Sequence, residues 1–199
     1  QALAKIGGFE YNIHSNQMFW TDETYQIHEI DPGTITTAED LITLSLSCYH
    51  EEDRPLIKRA FEQCVKEGIP YEFEFPFRTV KGREIWIRTQ SRAEWKDGSV
   101  SKIYGTIMDI SREKSFIADI EKERLSLRSI LDHMPDGVCI IDREFRIVYT
   151  NPVIEEWFGK PQGRLCYQYI NNQQKICPWC RIDTIYSGES YRDTLENAM

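Results

Sequence analysis

The sequence predicts an α+β fold built on antiparallel strands. Two strand signals open the chain, several helix signals follow, and three long strands joined by tight turns complete the first half. A second observation is the alternation in those strands, where Tyr71, Phe73, Phe75 and Phe77 interleave with Glu72, Glu74, Pro76 and Arg78. A third is the return of the opening strand–turn–strand–helix pattern after a spacing of about 130 residues.

Gly8 to Ile13 and Gln17 to Thr21 read as strands around a turn carrying His14 and Ser15. Thr21 stands where a helix cap belongs, ahead of Asp22-Glu23, and Asp31-Pro32-Gly33 stops that helix. Thr37 caps a second helix with Glu39 and Asp40 in its first turn, where carboxylates suit the helix dipole; Leu41, Leu44 and Ser45 share a face. A third helix follows His50-Glu51-Glu52-Asp53-Arg54, with Leu56, Ile57, Ala60, Phe61, Cys64 and Val65 at steps of three and four; Gly68 ends it. Lys81-Gly82 turns the first long strand into the next. There Ile85, Ile87, Thr89, Ser91 and Ala93 alternate with Trp86, Arg88, Gln90, Arg92 and Glu94. Asp97-Gly98 is a hairpin signal, and Val100 to Ile110 is the last strand.

Ser111 caps a helix running to His133. Ile117, Ile120, Arg124, Leu127, Leu131 and Met134 form an apolar seam of about three heptads, broken by one charge. A lone amphipathic helix lying on its own domain fits the same spacing. Pro135-Asp136-Gly137 breaks the helix. Strands at Val138–Asp142 and Arg146–Thr150 flank a turn at Arg143-Glu144, and Asn151-Pro152 opens a helix that Gly159 closes.

The formal charge of −8 argues against a nucleic-acid binder, which needs clustered Lys and Arg. No apolar run reaches the ~18 residues of a membrane span, and no signal peptide is legible, so cytoplasmic location without membrane contact is the expectation. The chain opens at Gln1 and stops at Met199 just after a strand-like segment begins, which reads as a piece of a longer protein.

These segments resemble the PAS family of sensory domains. The first copy runs from Ile6-Gly7-Gly8-Phe9-Glu10 to Met108-Asp109-Ile110-Ser111, where Asp109-Ile110-Ser111 is similar to the Asp-Ile-Thr element that starts the family's output helix. The second runs from Ile130-Leu131-Asp132-His133-Met134-Pro135-Asp136-Gly137 through Asn151-Pro152 to Phe158-Gly159. The resemblance implies an antiparallel five-stranded sheet with helices on one face at residues 1–111, a connecting helix at 112–133, and the N-terminal part of a second such domain at 134–199. It implies a non-catalytic sensory and signal-relay module of a bacterial protein. The partners implied are a second copy, a small-molecule ligand, and an adjacent output domain such as a histidine kinase or diguanylate cyclase. Signal relay would fall to Asp109, Ile110, Ser111, Ile117, Ile120, Leu127 and Leu131. A ligand-free dimerisation scaffold is the second reading.

Cys166 and Cys177-Pro178-Trp179-Cys180 are the sharpest chemical signal, since a two-residue gap turns two thiolates toward one ion and Cys166 supplies a third. Zinc and an iron–sulfur centre both accept such ligands; Cys139 or Asp183 would complete the set. A redox pair at Cys177 and Cys180, and three unliganded thiols, are the alternatives. Cys48, Cys64 and Cys139 read as buried free thiols. His50 reads as a helix-start residue rather than a haem ligand, and His14 and His28 as polar rings near turns. The Tyr71–Phe77 stripe is core or cavity wall, and the Trp86, Arg88, Gln90, Arg92 face suits a partner or the connecting helix. The reactive-cysteine element of flavin photosensors is missing from the sequence, and with it the expectation of flavin photochemistry.

Overall fold

In the computed structural model, residues 6–182 and residue 186 are described. The chain divides into two units between Asp119 and Ile120. The first comprises β1 (Ile6–Asn12), β2 (Gln17–Trp20), α1 (Asp22–His28), α2 (Ala38–Ser47), α3 (Arg54–Glu67), β3 (Tyr71–Arg78), β4 (Glu84–Lys96), β5 (Ser99–Asp109) and the start of α4 (Ser111–Asp132). Its five strands lie in the order β2-β1-β5-β4-β3, all neighbours antiparallel.

The alternation read from the sequence sorts the two faces of the sheet. Phe75, Phe77, Ile85, Ile87 and Ile107 are buried with Ile27, Tyr49 and Ile57 from the helical side, while Trp86 and Tyr104 stay exposed. Alternation fails once. Val100 and Ile103 are both buried although an odd number of steps separates them. A register shift beside Glu94 and Trp95 leaves Ser101 without a strand partner on β4, and its hydroxyl bonds the Glu94 carbonyl at 3.1 Å. A β-bulge of this kind returns the following residues to the core face.

Local chemistry sets the ends of the elements. Asp97 and Gly98 both take positive φ (49° and 79°), the tight-hairpin geometry that Asp-Gly favours. Thr37 caps α2 by accepting from the Asp40 amide at 3.2 Å. Gly68 closes α3 in the left-handed region. Thr21 behaves differently from expectation. It stands at the start of α1, but its hydroxyl accepts from the Gly8 amide at 3.0 Å and so joins α1 to β1. α1 also ends earlier than expected, at Glu29 with φ 61°, ahead of the Asp31-Pro32-Gly33 breaker. Leu56 is exposed rather than on the buried face of α3. At Gly7 a Cβ would lie 2.3 Å from Thr24 Oγ1, so only glycine lets α1 sit this close to β1.

The second unit holds, among its described residues, β6 (Cys139–Ile141), β7 (Ile147–Thr150), α5 (Pro152–Phe158) and α6 (Cys166–Tyr169). Asn151 is fully buried and all its side-chain capacity is used. Its carbonyl accepts from the amides of Val138 (2.9 Å) and Ile154 (3.2 Å), and its amide donates to the carbonyls of Asp136 (2.8 Å) and Leu131 (3.3 Å). One side chain therefore fastens the end of α4, the following loop, β6 and α5. Tyr149 adds a 2.5 Å bond to Asp132. The strand-like segment near Met199 and the candidate ligand Asp183 lie outside the described residues.

Candidate ligand cavity and output junction

Trp20, Thr24, Ile27 and His28 face inward because β2 delivers Trp20 to the core and α1 repeats that face at steps of three and four. Beneath them is a partly open cavity of about 60 Å³, with Ser45 of α2, Tyr49, and Tyr71 and Thr89 of the sheet in its wall. Of the Tyr71–Phe77 stripe only Tyr71 lines this space; Phe75 and Phe77 are core.

His28, read from the sequence as a ring near a helix end, is 1% exposed and belongs to this wall. Its Nδ1 lies 2.8 Å from the Thr24 carbonyl and its Nε2 lies 3.1 Å from Ser45 Oγ. The ring stacks on Trp20 at 4.4 Å between centroids and meets Phe77 edge-on at 5.1 Å. Burial pushes its pKa down from 6.5 to about 4, against the opposing hydrogen bond to Thr24, so the imidazole is neutral near pH 7. The signal for His28 was present in the sequence: Thr24, Ile27 and His28 stand at i, i+3 and i+4.

A polar route leaves the cavity wall beside His28. The next residue, Glu29, accepts from Thr79 Oγ1 at 2.7 Å and from Arg83 Nε at 2.8 Å. Those two bonds, Thr79 first, hold its carboxyl below the usual range. Arg83 Nη1 also lies 3.8 Å from Asp109 Oδ2. Asp109 Oδ1 accepts from the Ser111 amide at 3.0 Å, and Ser111 Oγ accepts from the Trp86 amide at 2.9 Å. The Ile110 amide donates to the Trp86 carbonyl at 2.8 Å, and its side chain is buried. Ser111 therefore anchors the start of α4 to β4 rather than capping it.

The first turns of α4 lie on the outer face of the sheet. Lys114 pairs with Glu74 at 2.7 Å and stands 4.8 Å over the Trp86 ring, and Arg88 reaches Glu74 at 2.7 Å and Glu113 at 3.7 Å. Beyond this anchor the helix buries no residue; Ile117, Ile120 and Leu127 are between 57% and 66% exposed, and Leu131 is half-buried. Phe116, Leu125 and Ile130 are also exposed, so apolar surface extends past the seam.

All six cysteines are free thiols. Cys48 and Cys64 are buried as expected, whereas Cys139 is half-buried. Burial pushes Cys166 up to about 11, with further contributions from Cys180, Cys177 and Cys139. The Cys180 amide donates to the Cys177 carbonyl at 2.9 Å, forming the turn of the two-residue gap. Among the described residues, however, no three His, Cys, Asp or Glu side chains are gathered closely enough to hold a metal ion. His50 Nε2 lies 3.2 Å from Glu84 at the surface, away from the cavity wall.

An antiparallel sheet covering a small cavity, with an outgoing helix anchored at the end of its last strand, defines a sensory type of α+β domain. Comparison with known proteins agrees. The family description "PAS fold" matches residues 17–107 and "PAS domain" matches residues 125–192. The chain belongs to the PAS family and carries two of its domains. Among curated relatives, it is 27% identical over 158 residues to "Probable diguanylate cyclase DgcE" of Escherichia coli (79% of this chain, 14% of that protein). It is 22% identical over 167 residues to "Sensor protein FixL" of Bradyrhizobium diazoefficiens (83% and 32%). Among solved structures, "Structure of an RNA-binding Light-Oxygen-Voltage Receptor" aligns at a TM-score of 0.50 with 20% identity, over 64% of this chain and 33% of that one; this likeness is one of fold. The chain thus spans less than a third of the length of these curated relatives. Its family matches are to sensory, not catalytic, domains. Among the described residues no helix is long and apolar enough to cross a membrane.

Proposed function

We propose that this chain is a non-catalytic sensory and relay segment of a larger cytoplasmic bacterial signalling protein. In this reading the first domain takes a small molecule in its cavity, and α4 carries the response to an output domain of the kinase or diguanylate cyclase kind. The observation that supports this best is the unbroken sequence of contacts from His28 in the cavity wall, through Glu29, Arg83 and Asp109, to Ser111. A molecule that shifts α1 moves Glu29, and Arg83 passes the displacement to the root of α4. To act as a switch, that molecule must bind one arrangement better than the other.

The exposed seam supports a second element of the proposal, pairing of α4 with α4 of another copy. Isolated chains rarely leave a contiguous apolar stripe of this kind in water, and a paired helix can hold two registers of similar energy. A scaffold without a ligand would share the seam but would need no cavity.

Hydrogen exchange tests the relay. Arg83→Gln keeps a polar side chain but removes both ion pairs, and we expect faster exchange at the amides of 111–117 while the cavity wall keeps its protection. Unchanged exchange at 111–117 would remove Arg83 from the path and count against the proposal.

A further inference from the structure

We infer that the first-domain cavity recognises a neutral molecule of about three heavy atoms that carries an O–H donor, with short-chain alcohols as the chemical class, by letting it replace Ser45 on His28. This rests on the sensory reading above and adds the identity of what is sensed.

The tautomer of His28 follows from its partners. A carbonyl oxygen can only accept, so the Nδ1 that lies 2.8 Å from the Thr24 carbonyl carries the proton. In a neutral ring Nε2 is then a lone pair, and it points at Ser45 Oγ, 3.1 Å away. Ser45 must donate there. At 3.1 Å that bond lies at the longer end of the range for hydrogen bonds between nitrogen and oxygen. Ser45 sits within α2, where a serine hydroxyl has an alternative acceptor in the carbonyl one helical turn back. It is therefore a donor that can be displaced without stranding its own hydroxyl. His28 is fixed: Trp20 stacks on one face, Phe77 meets its edge, and Thr24 holds Nδ1.

Size and charge define the guest. A cavity of ~150 Å³ accommodates benzene, about 25 Å³ per heavy atom, so about 60 Å³ takes two or three heavy atoms before any wall residue moves. Haem and flavin are far too large for the space as it stands. Trp20 and Ile107 provide apolar wall, and no Asp, Glu, Lys or Arg lines the cavity, so an ion would enter without a counter-charge. An acceptor-only guest would leave His28 Nε2 paired to Ser45 and gain nothing from the ring.

The test uses the whole chain with nitrogen-15-labelled histidine and two probes of three heavy atoms. Ethanol carries the donor; acetonitrile does not. We expect ethanol to shift the His28 Nε2 resonance saturably and acetonitrile to leave it unmoved. Ser45→Ala removes the competing donor and should tighten ethanol binding several-fold. Equal response to both probes, a response that never saturates, or no response in either protein overturns the ligand class. The same samples report amide protection at 111–117. Saturable ethanol binding without any change there supports the ligand class while refuting relay. Absence of ethanol binding, with a cavity-narrowing Ser45→Val chain still altering those amides, refutes the ligand class and leaves relay standing.

Discussion

Lowering the pH should unfold the first domain partly through His28. The folded ring has its pKa depressed from 6.5 to about 4 because burial disfavours the imidazolium. The unfolded chain therefore binds a proton that the folded chain refuses between those values, and stability falls as pH falls. The contribution is fully present above 6.5 and is lost progressively as pH drops through about 4. A shift of this size corresponds to about 3 kcal/mol, at a slope of at most ~1.4 kcal/mol per pH unit. Glu29, held low first by the Thr79 hydroxyl and then by Arg83, and Glu74, held low by Lys114 and Arg88, also contribute stability that is lost in acid, so a comparison must isolate the histidine. Urea melts followed by the tryptophan fluorescence of the first domain (Trp20, Trp86 and Trp95) serve, in a background where the exposed Trp157 and Trp179 are replaced by Phe. The difference between this chain and its His28→Gln variant should change by about 3 kcal/mol from pH 7.5 to 4. Parallel curves for the two proteins would refute a buried neutral imidazole.

Three further outcomes are expected. Asn151→Ala removes the side-chain partner of the Val138 and Ile154 amides and of the Asp136 carbonyl and should destabilise the second unit by about 3–5 kcal/mol, and Asn151→Asp should cost at least as much, because a buried carboxylate oxygen would face the Asp136 and Leu131 carbonyls to which the amide donates; hydrogen exchange at the amides of Val138 and Ile154 in the two variants checks this. Ile120→Asp with Leu127→Asp should weaken self-association through α4 by tenfold or more, on the order of 1.4 kcal/mol, in sedimentation equilibrium; an unchanged association state removes the seam. In native protein at pH 8, Cys48 and Cys166, both raised to about 11 by burial, should react with a thiol reagent far more slowly than after unfolding. Stoichiometric zinc or iron in the same preparation, lost on Cys177→Ser, would instead establish a metal centre.

The elements were legible because the sheet has one buried and one exposed face, so period-two alternation marks β3 and β4 directly, and Asp97-Gly98 marks their junction with β5. What escaped depends on long-range placement. The bulge at Ser101 is set by strand pairing across the sheet, and nothing near Ser101 signals it. His28 reads as an end-of-helix residue because α1 ends beside it; the spacing of Thr24, Ile27 and His28 marks a shared face, and the packing of Trp20 and Phe77 shows that this face is interior. Glu29 and Arg83 stand 54 residues apart and meet because the β3–β4 turn folds back over the end of α1. Ser111 looked like a cap, and its hydroxyl is instead taken by the Trp86 amide. The cysteine spacing was legible as a cluster, whereas the arrangement of its thiols depends on how β6, α6 and the 177–180 turn converge.

Transmission from cavity to helix is the central claim, and one comparison tests it most directly. Ser45→Val narrows the cavity next to His28 and removes the donor to its Nε2, and hydrogen exchange at the amides of 111–117 is measured in that chain with Arg83 intact and with Arg83→Gln. The narrowed cavity should change protection at the root of α4 only when Arg83 is present. Identical protection with and without the cavity substitution, or a change that persists undiminished without Arg83, would contradict it.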